Sequence, residues 1–491
     1  MLLAALLLVP AAAGLACLPL RSHRLMAALV VATFGTTLAL GVGLLHAVLA
    51  RGVVTEFHEF LSADALSAWM VLLISIVSLA TSLYAGRYFE RDLAAGSVTP
   101  GRVREFYVLT PLFAASMFLV VLVNSVGVMW FAVETTALTS VLLVALYNRQ
   151  TSLEAAWKYI ILGSLGLALA LFGSVFLYAA AVGPHATGRL PSFNWSHLMT
   201  IADQLDPRLV RLAFVLALVG YGTKAGLAPM HTWLPDAHSE APSPTSAMLS
   251  GVSLKVALYA LLRFHVLSTA CLGTAFSRDL LLGFGLFSMF LAAPFILVQR
   301  NLKRMLAYSS LEHVGLICTG IGLNTPVTIF GALLHMGYHA LTKPVLFFAA
   351  GNIHQTYHTL DFRRIGPGLG KTLPVTALLF GLAAVAAAGL PPFGLFYSEL
   401  TVISGGIAAH RTGISILMLV ALIASFCGIL QQLTRILLGA PATNRPLASR
   451  PGEGVPAMAL LLGSLLIFSL WLPASVQKLL HQAAGIIGGG A

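Results

Sequence analysis

The sequence predicts an all-α, polytopic membrane protein with about fourteen transmembrane helices. Hydrophobic residues make up 58% of the 491 residues, whereas charged residues make up only 9%. Apolar stretches of about 20 residues, the length that crosses the hydrocarbon layer of a bilayer, recur along the whole chain. Backbone groups in lipid must be paired within the protein, so these stretches are expected to be helical. The composition excludes an ordinary soluble enzyme with several domains.

Fourteen spans follow from the apolar stretches, with boundaries uncertain by several residues. The first stretch has no basic residue before it, and Arg21 and Arg24 follow it, which favours a membrane helix over a cleaved signal peptide. The predicted spans are roughly 1–19, 25–50, 63–86, 106–123, 125–147, 155–182, 209–230, 242–267, 280–299, 304–323, 326–350, 373–409, 413–438 and 456–476.

Two of these spans are predicted to be broken helices. The span at 209–230 carries glycines and Pro229 close to Lys224, and the span at 373–409 contains Pro391 and Pro392 ahead of Glu399. Breaks at membrane depth are tolerated where protein or water pairs the freed backbone groups. Five spans separate the breaks, an odd number, so equivalent five-helix units would be inverted relative to each other, a transporter signature.

This arrangement divides the chain into three predicted parts. Residues 1–104 form N-terminal helices, 105–440 form a core of inverted repeats at about 105–267 and 280–438, and 441–491 contain the last span.

The net charge of +11 is a topology signal. Of the 28 Lys and Arg residues, 17 fall on one side of the predicted membrane, eight on the other, and three, Lys224, Lys255 and Lys343, deep inside spans. Lys158 and Arg263, near the ends of their spans, are counted with the adjoining loops. Cytoplasmic loops carry the excess of basic residues, so both termini are predicted to face away from the cytoplasm of a prokaryotic-type inner membrane. No long basic face is present, which excludes nucleic acid as a partner.

No cofactor or metal site is expected from the sequence. The four cysteines, Cys17, Cys271, Cys318 and Cys427, occur singly and lack the spacing of zinc or iron–sulfur ligands. Any redox chemistry is therefore expected in other subunits.

Seven charged side chains lie within the predicted spans, and they are the candidate functional residues. A charge at the bilayer centre costs a few kcal/mol or more, so such residues are usually functional. The smallest charge that they could move is a proton. They are Glu134, Lys158, Lys224, Lys255, Glu312, Lys343 and Glu399.

Glu134 and Lys224 are predicted to pair across helices. Glu134 has no cation nearby in sequence, and Lys224 lies among glycines that loosen its helix. A carboxylate and an ammonium that can separate form a proton switch. The alternatives are an acid held neutral by hydrogen bonds and a lysine that snorkels to the interface.

Lys255 and several histidines extend this series. His335 and His339 are one turn apart on a helix, Lys343 lies one turn further, and His313 follows Glu312 in the preceding span. Histidine titrates nearest neutrality, which suits a relay. The His335–His339 pair could also bind a metal, but no Glu or Cys is expected to complete that site. Glu312 and Lys343 could form a local ion pair.

Glu399 is predicted to be the outlet of the relay, because an acid just past a helix break can reach water. Lys158 is the weakest candidate, since it could simply lie at the membrane interface. His231 and His238 are secondary candidates that follow the break beside Lys224.

Three stretches resemble a known family. The run from Lys224 to Pro242, with its Trp233–His238 segment, is similar to the signature of antiporter-like membrane subunits of respiratory complex I, Mrp-type antiporters and group-4 hydrogenases. Residues 305–315 and 335–343 support it, and the resemblance covers about 105–440. Glu312-His313 and the 156–159 segment are most similar to the hydrogenase-4 type F subunits.

The resemblance implies fourteen core helices and a charged axis across the membrane centre. Glu134 and Lys224 would form its first half, Lys255, His313 and His339 its connection, and Glu399 its outlet. Glu399 follows one branch of the family, whereas His335 and Lys343 follow another, so the subunit type stays open. No long amphipathic helix is expected after the last span.

The sequence therefore predicts a proton-translocating subunit of a redox-driven complex. Other membrane subunits and a peripheral redox module, which would hold any enzymatic activity, are the expected partners. A sodium/proton antiporter subunit of the Mrp type is the alternative within the family. A passive membrane anchor for a soluble enzyme is the alternative from another class, and it gives the buried charges no use.

Overall fold

Helices dominate the computed structural model, which describes residues 1–182, 192–439 and 454–489. The connection between the predicted spans 155–182 and 209–230 lies partly outside the described residues. Three of the arginines counted for the charge bias, Arg189, Arg445 and Arg450, also lie outside them. A short antiparallel hairpin is the one departure from the predicted all-α fold within the described residues. It joins two N-terminal helices and was not foreseen.

The first part of the chain contains four long helices and the hairpin. These elements are α1 (Leu2–Ala16), α2 (His23–Arg51), β1 (Val54–Glu56), β2 (Leu61–Ala63), α3 (Ala65–Ala94) and α4 (Pro100–Leu122).

The next part runs through the first predicted repeat. Its elements are α5 (Val126–Val144), α6 (Gln150–Val182), α7 (Trp195–Thr200), a 3₁₀ turn (Ala202–Gln204), α8 (Pro207–Ala225), α9 (Trp233–Glu240), α10 (Ser243–Met248), a π-helical turn (Leu249–Ser253) and α11 (Leu254–Leu272).

The remaining helices cover the second predicted repeat and the C-terminal part. They are α12 (Ala275–Val298), α13 (Leu302–Gly322), α14 (Pro326–Tyr357), α15 (Phe362–Ile365), α16 (Leu369–Thr372), α17 (Pro374–Ala387), α18 (Gly394–Ala408), α19 (Thr412–Leu437), α20 (Val455–Leu470) and α21 (Ala474–Gly488).

Each predicted span coincides with one of these helices or with a consecutive group of them. By length and apolar composition alone, eight helices of the described chain could cross a membrane, or nine if the bent α20–α21 pair counts as one span. Helices α13 and α14 are not among the eight, and they carry many of the polar side chains predicted to be functional. Helix α21, bent by 79° from α20, was not predicted.

Both predicted breaks are present. Helix α8 ends at Gly226, whose φ of 81° is left-handed, and α9 follows after a short connection. The long span at 373–409 is divided into α17 and α18 by residues 388–393. The boundaries of the inverted repeats stay a prediction.

Helix α14 occupies the centre of the bundle. It packs against α3, α10, α13, α17, α18, α20 and α21, and residues 331–353 are all buried. The segment from α10 through the π-helical turn into α11 is buried from 241 to 269. The polar side chains of these helices therefore face protein rather than lipid.

Two helix pairs pack especially closely because glycine removes the side chain at the contact. In the α12–α13 pair, a Cβ on Gly285 would lie 2.7 Å from the Gly315 carbonyl oxygen. In the α6–α8 pair, a Cβ on Gly220 would lie 2.6 Å from the Gly166 carbonyl oxygen. Without a hydrophobic force between helices in lipid, such close packing of small residues holds them together.

Candidate functional site

Lys224 lies at the end of α8, where the helix stops beside the first break. It is 1% exposed, so it does not snorkel. Its Nζ donates a hydrogen bond to the Tyr159 hydroxyl, which is also 2.8 Å from Ser140 Oγ. Tyr159 stacks on Trp233 with ring centroids 4.3 Å apart, and the Trp233 Nε1 donates to the Thr223 carbonyl at 2.8 Å. The amine is thus held by a fixed aromatic pair from α6 and α9.

The predicted ion pair between Glu134 and Lys224 is not formed. Tyr159 takes the lysine's hydrogen bond, and the described residues include no ion pair between the two charges. Glu134 is half-buried on α5, where Ser164 Oγ lies 3.5 Å from its Oε1. The prediction of direct contact was wrong, because Lys224 of α8 bonds to the Tyr159 hydroxyl of α6 instead of to the acid on α5.

Lys255 occupies the first turn of α11, directly after the π-helical turn. Its Nζ donates to the Ser250 carbonyl within that turn and is hydrogen-bonded to His339 Nδ1 of α14. A π-helical turn widens the helix and is frequent at functional sites. Here it leaves the Ser250 carbonyl available to hold the amine, so Lys255 contacts the central helix.

The histidines continue this chain through the centre of the bundle. The His339 and His313 rings are 4.8 Å apart between centroids. His313 Nδ1 lies 3.0 Å from His335 Nε2, and His335 Nδ1 lies 2.9 Å from Ser398 Oγ. Three helices, α13, α14 and α18, supply these groups. The structure therefore brings together Lys255, His313 and His339 of the predicted connection, and adds His335, a secondary candidate.

Glu399 lies at the far end of this series of contacting side chains, one residue after Ser398 on α18. It is 7% exposed and folds back over the break, since a Cβ on Gly389 would lie 2.9 Å from the Glu399 carboxyl carbon. No hydrogen bond or ion pair to Glu399 is formed by the other described residues. Ligand atoms of His313, His335 and Glu399 all lie within 4.8 Å of one another.

Glu312 and Lys343 do not form the ion pair that the sequence suggested. Lys343 Nζ donates instead to the Leu306 carbonyl at 3.1 Å and to Ser309 Oγ at 2.8 Å. Glu312 Oε2 lies 3.9 Å from His313 Nε2, and Oε1 has no partner among the described residues. Both side chains are buried beside the histidine chain, yet each keeps its own contacts on α13.

Lys158 lies at the surface, apart from the chain of buried groups. Its Nζ pairs with Glu154 at 2.7 Å and with Asp236 at 3.2 Å, and Asp236 also pairs with Arg304 at 2.6 Å. This exposed ion-pair cluster ties α6 to α9 and α13. The interface alternative for Lys158 fits this position.

The two secondary histidines after the first break are buried but stand apart from the chain. His231 has an unpartnered Nδ1 and lies 6.2 Å from the Tyr308 ring. His238 stacks on Phe347 at 5.0 Å, and neither ring nitrogen has a partner among the described residues.

A second buried charge cluster was missed by the sequence analysis, which placed Arg263 in a loop. Arg263 lies in α11 and pairs with Asp64, the residue that caps α3, at 2.6 Å. Its guanidinium also donates to Tyr259 at 2.8 Å and Ser67 at 3.1 Å, and stacks on Trp195 at 4.4 Å. The signal in the sequence that could have revealed this cluster is an arginine near the end of an apolar run.

Tyr159 and Lys303 were also missed. Tyr159 directly follows Lys158 in the 156–159 segment, but a tyrosine in an apolar run is not remarkable by itself. Lys303 was counted with the loops, yet it is buried and donates to the Ala241 carbonyl at 2.8 Å.

Solved structures of other membrane proteins share this fold. A chain of the membrane-bound sulfane sulfur reductase, an archaeal respiratory membrane complex, has the same fold, with a TM-score of 0.87 and 24% identity over 99% of this chain and 97% of that one. A chain of respiratory complex I from Thermus thermophilus superposes with a TM-score of 0.74 at 26% identity, covering 96% of this chain and 97% of that one.

Sequence relatives cover most of the chain as well. The hydrogenase-4 component F homolog of Methylacidiphilum infernorum (isolate V4) is 37% identical over 430 residues, which are 87% of this chain and 85% of the relative. The family model described as NADH:quinone oxidoreductase/Mrp antiporter, transmembrane, matches residues 123–426. The chain is therefore a multi-pass membrane protein that belongs to this family of antiporter-like membrane subunits.

Proposed function

We propose that this chain is the proton-translocating subunit of a multisubunit, redox-driven membrane complex. The observation that carries the proposal is the continuous series of buried groups Lys255, His339, His313 and His335, which ends at Ser398 beside Glu399. Each neighbouring pair is within hydrogen-bond or ring-contact distance. A proton can pass along such a series when each group in turn gains and loses it.

In this mechanism, Glu134 and Lys224 form the first part of the axis. Loss or gain of charge at Glu134 changes the energy of a proton on Lys224, and Tyr159 transmits the hydrogen bond between the two helices. No hydrogen-bonded link joins Lys224 to Lys255 among the described residues, so water carries the proton across this step of the proposal. The ammonium of Lys255 then passes its proton to His339.

The last part of the axis delivers the proton to Glu399. Burial disfavours the charged form of an acid that lacks a partner, so Glu399 is suited to accept a proton from His335 and hold it. Pro391 and Pro392 beside it are exposed, which places the carboxyl near the bundle surface at the α17–α18 break. The proton leaves there.

The ligand chemistry favours protons over sodium. Sodium is a hard cation that binds oxygen ligands, as calcium and magnesium do. The central part of the axis presents one lysine amine and three imidazoles, which exchange protons but repel or ignore a sodium ion. The Mrp-type alternative would need a cluster of oxygen ligands, and Glu399 is the only carboxylate within reach of His313 and His335 in the ligand group found among the described residues.

Partners and orientation form part of the same proposal. Other membrane subunits and a peripheral redox module would assemble with this chain, and electron transfer there would change the charge at one end of the axis. We expect the loops between spans 1 and 2 and between spans 3 and 4 to lie in the cytoplasm and both termini outside an inner membrane, because the excess of basic residues is on the side of these loops.

Co-purification in mild detergent, followed by mass spectrometry, tests the proposed assembly. A hydrogenase or quinone-reductase module among the partners is the expected result. Partners that consist only of small membrane subunits, together with sodium-dependent proton exchange in the absence of an electron donor, would instead establish the antiporter.

A further inference from the structure

Two imidazoles and a carboxylate converge at the outlet end of the axis, in an arrangement that also suits a metal ion. His313 comes from α13, His335 from α14 and Glu399 from α18, and all three are buried. From the sequence, His335 seemed paired with His339 and without an acid. The fold supplies the acid from the helix beyond the second break.

The spacing of the two imidazole nitrogens matches a metal site. His313 Nδ1 and His335 Nε2 lie 3.0 Å apart. Two nitrogens bound to one tetrahedral zinc at about 2.0–2.1 Å would lie about 3.3 Å apart. The rings therefore need to separate by only a few tenths of an ångström to hold an ion between them. The Glu399 carboxylate, within 4.8 Å of both, completes a set of two histidines and one glutamate.

A hydrogen-bonded group behind the His335 ring keeps its Nε2 facing His313. Ser398 Oγ lies 2.9 Å from the far nitrogen of His335, and Glu312 Oε2 lies 3.9 Å from the far nitrogen of His313. Hydrogen-bonded groups behind metal-bound histidines fix the ring orientation and the tautomer in known sites. Glu399 also has no other partner among the described residues, so its oxygens are available to a ligand.

We propose that His313, His335 and Glu399 form a binding site for a divalent transition-metal ion of the zinc class. The ion takes the place of the proton in the His313–His335 hydrogen bond, which moves to the other nitrogen of its ring or leaves, and a proton held by Glu399 is released when its oxygen binds the ion. Two carboxylates, Glu399 and Glu312, offset the charge of the ion. The ammonium groups of Lys255 and Lys343 oppose it, which favours binding when these amines are neutral.

Direct binding of Zn²⁺ to the full purified chain in detergent tests the site. We expect about one tight equivalent per chain by metal analysis, a first shell of two imidazoles and a carboxylate oxygen by X-ray absorption, and proton release measured calorimetrically in two buffers. His335→Ala and Glu399→Gln should abolish the tight equivalent. Ser398→Ala, which removes only the group behind His335, should weaken binding by about 10–100-fold.

His410→Ala is the matched control, because His410 is exposed and lies in the turn past the end of α18, away from the site. It should retain the full zinc equivalent. Equal binding by the His335→Ala and His410→Ala variants, or no tight zinc in the wild type, would overturn the proposal. If thermal unfolding shows that the His335→Ala and Glu399→Gln variants do not fold, the wild-type X-ray absorption spectrum and the zinc affinity of Ser398→Ala still test the proposal. A first shell without imidazole, or an unchanged affinity of Ser398→Ala, would then contradict it.

One consequence rests on the proposed function. A bound ion would take the place of the proton in the His313–His335 hydrogen bond, so zinc should inhibit proton translocation at the concentrations at which it binds. Zinc that binds at the site without inhibiting translocation would contradict the proton axis and leave the metal site intact, so the two proposals fail separately.

Discussion

The Tyr159 hydroxyl accepts a hydrogen bond from Lys224 and occupies the place where a direct partner for the lysine, Glu134, was expected. The tyrosine is fixed by stacking on Trp233 and by its contact with Ser140. Lys224 is therefore bonded to a neutral side chain rather than to an acid.

Tyr159→Phe should weaken the coupling between Glu134 and Lys224 while keeping the fold. Phenylalanine preserves the stacking on Trp233 but leaves the buried amine without its acceptor, which costs about 1–3 kcal/mol. We expect proton translocation to fall by roughly 10-fold, since 1.4 kcal/mol corresponds to one order of magnitude. Proton uptake into vesicles that contain the whole complex measures it. Tyr178→Phe, at a ring that packs on Phe193, is the control, and equal activity of both variants would exclude a role for the hydroxyl.

Glu134→Gln and Lys224→Ala should each abolish proton translocation while the chain still inserts into the membrane. Each removes one of the two charges whose interaction starts the transfer. The measurement is proton uptake per electron transferred in the same vesicles. Glu154→Gln removes an exposed acid of the surface cluster and should leave uptake unchanged. Normal uptake in either Glu134→Gln or Lys224→Ala would contradict the proposed first step.

Asp64→Asn should strongly destabilise the protein. It leaves the buried Arg263 guanidinium without its counter-ion, and loss of one partner of a buried pair costs about 3–5 kcal/mol. The thermal unfolding temperature of the purified chain in detergent is the readout. The double variant Asp64→Asn/Arg263→Met removes the unpaired charge and should recover much of the loss. A double variant as unstable as the single one would show that the pair does not act as a unit.

Gly285→Ala should loosen the α12–α13 pair. The new methyl group would lie 2.7 Å from the Gly315 carbonyl oxygen, and such overpacking costs about 1–3 kcal/mol. Gly283→Ala on the same helix is the matched control, because a Cβ there meets no atom within 4 Å. We expect a lower unfolding temperature for Gly285→Ala only. Equal behaviour of the two variants would refute the packing role of Gly285.

The sequence predicted the helices well because membrane spans are set by length and apolarity, which are local properties. The breaks at Pro229 and at Pro391–Pro392 were equally local signals, and both are present. The β1–β2 hairpin and helix α21 were not predicted, since neither has a strong apolar pattern.

The sequence predicted which residues lie together in the candidate site better than it predicted the contacts between them. Lys255, His313, His335 and His339 do meet, because glycine-rich and buried helices leave few other places for polar side chains. Partners across helices depend on rotation and tilt, which the sequence does not encode locally. Lys224 therefore bonds to Tyr159 rather than to Glu134, Lys343 bonds to Ser309 rather than to Glu312, and Arg263 is buried with Asp64.

The most direct test of the proton axis is donor-driven proton uptake by vesicles that contain the whole complex with His335→Ala in this chain, compared with His410→Ala. His335 is the link between His313 and the outlet beside Glu399, and His410 is an exposed histidine outside the chain of buried groups. The account predicts that His335→Ala loses most proton uptake per electron, with the assembled complex intact, and that His410→Ala retains it. Full uptake with His335→Ala would contradict the account.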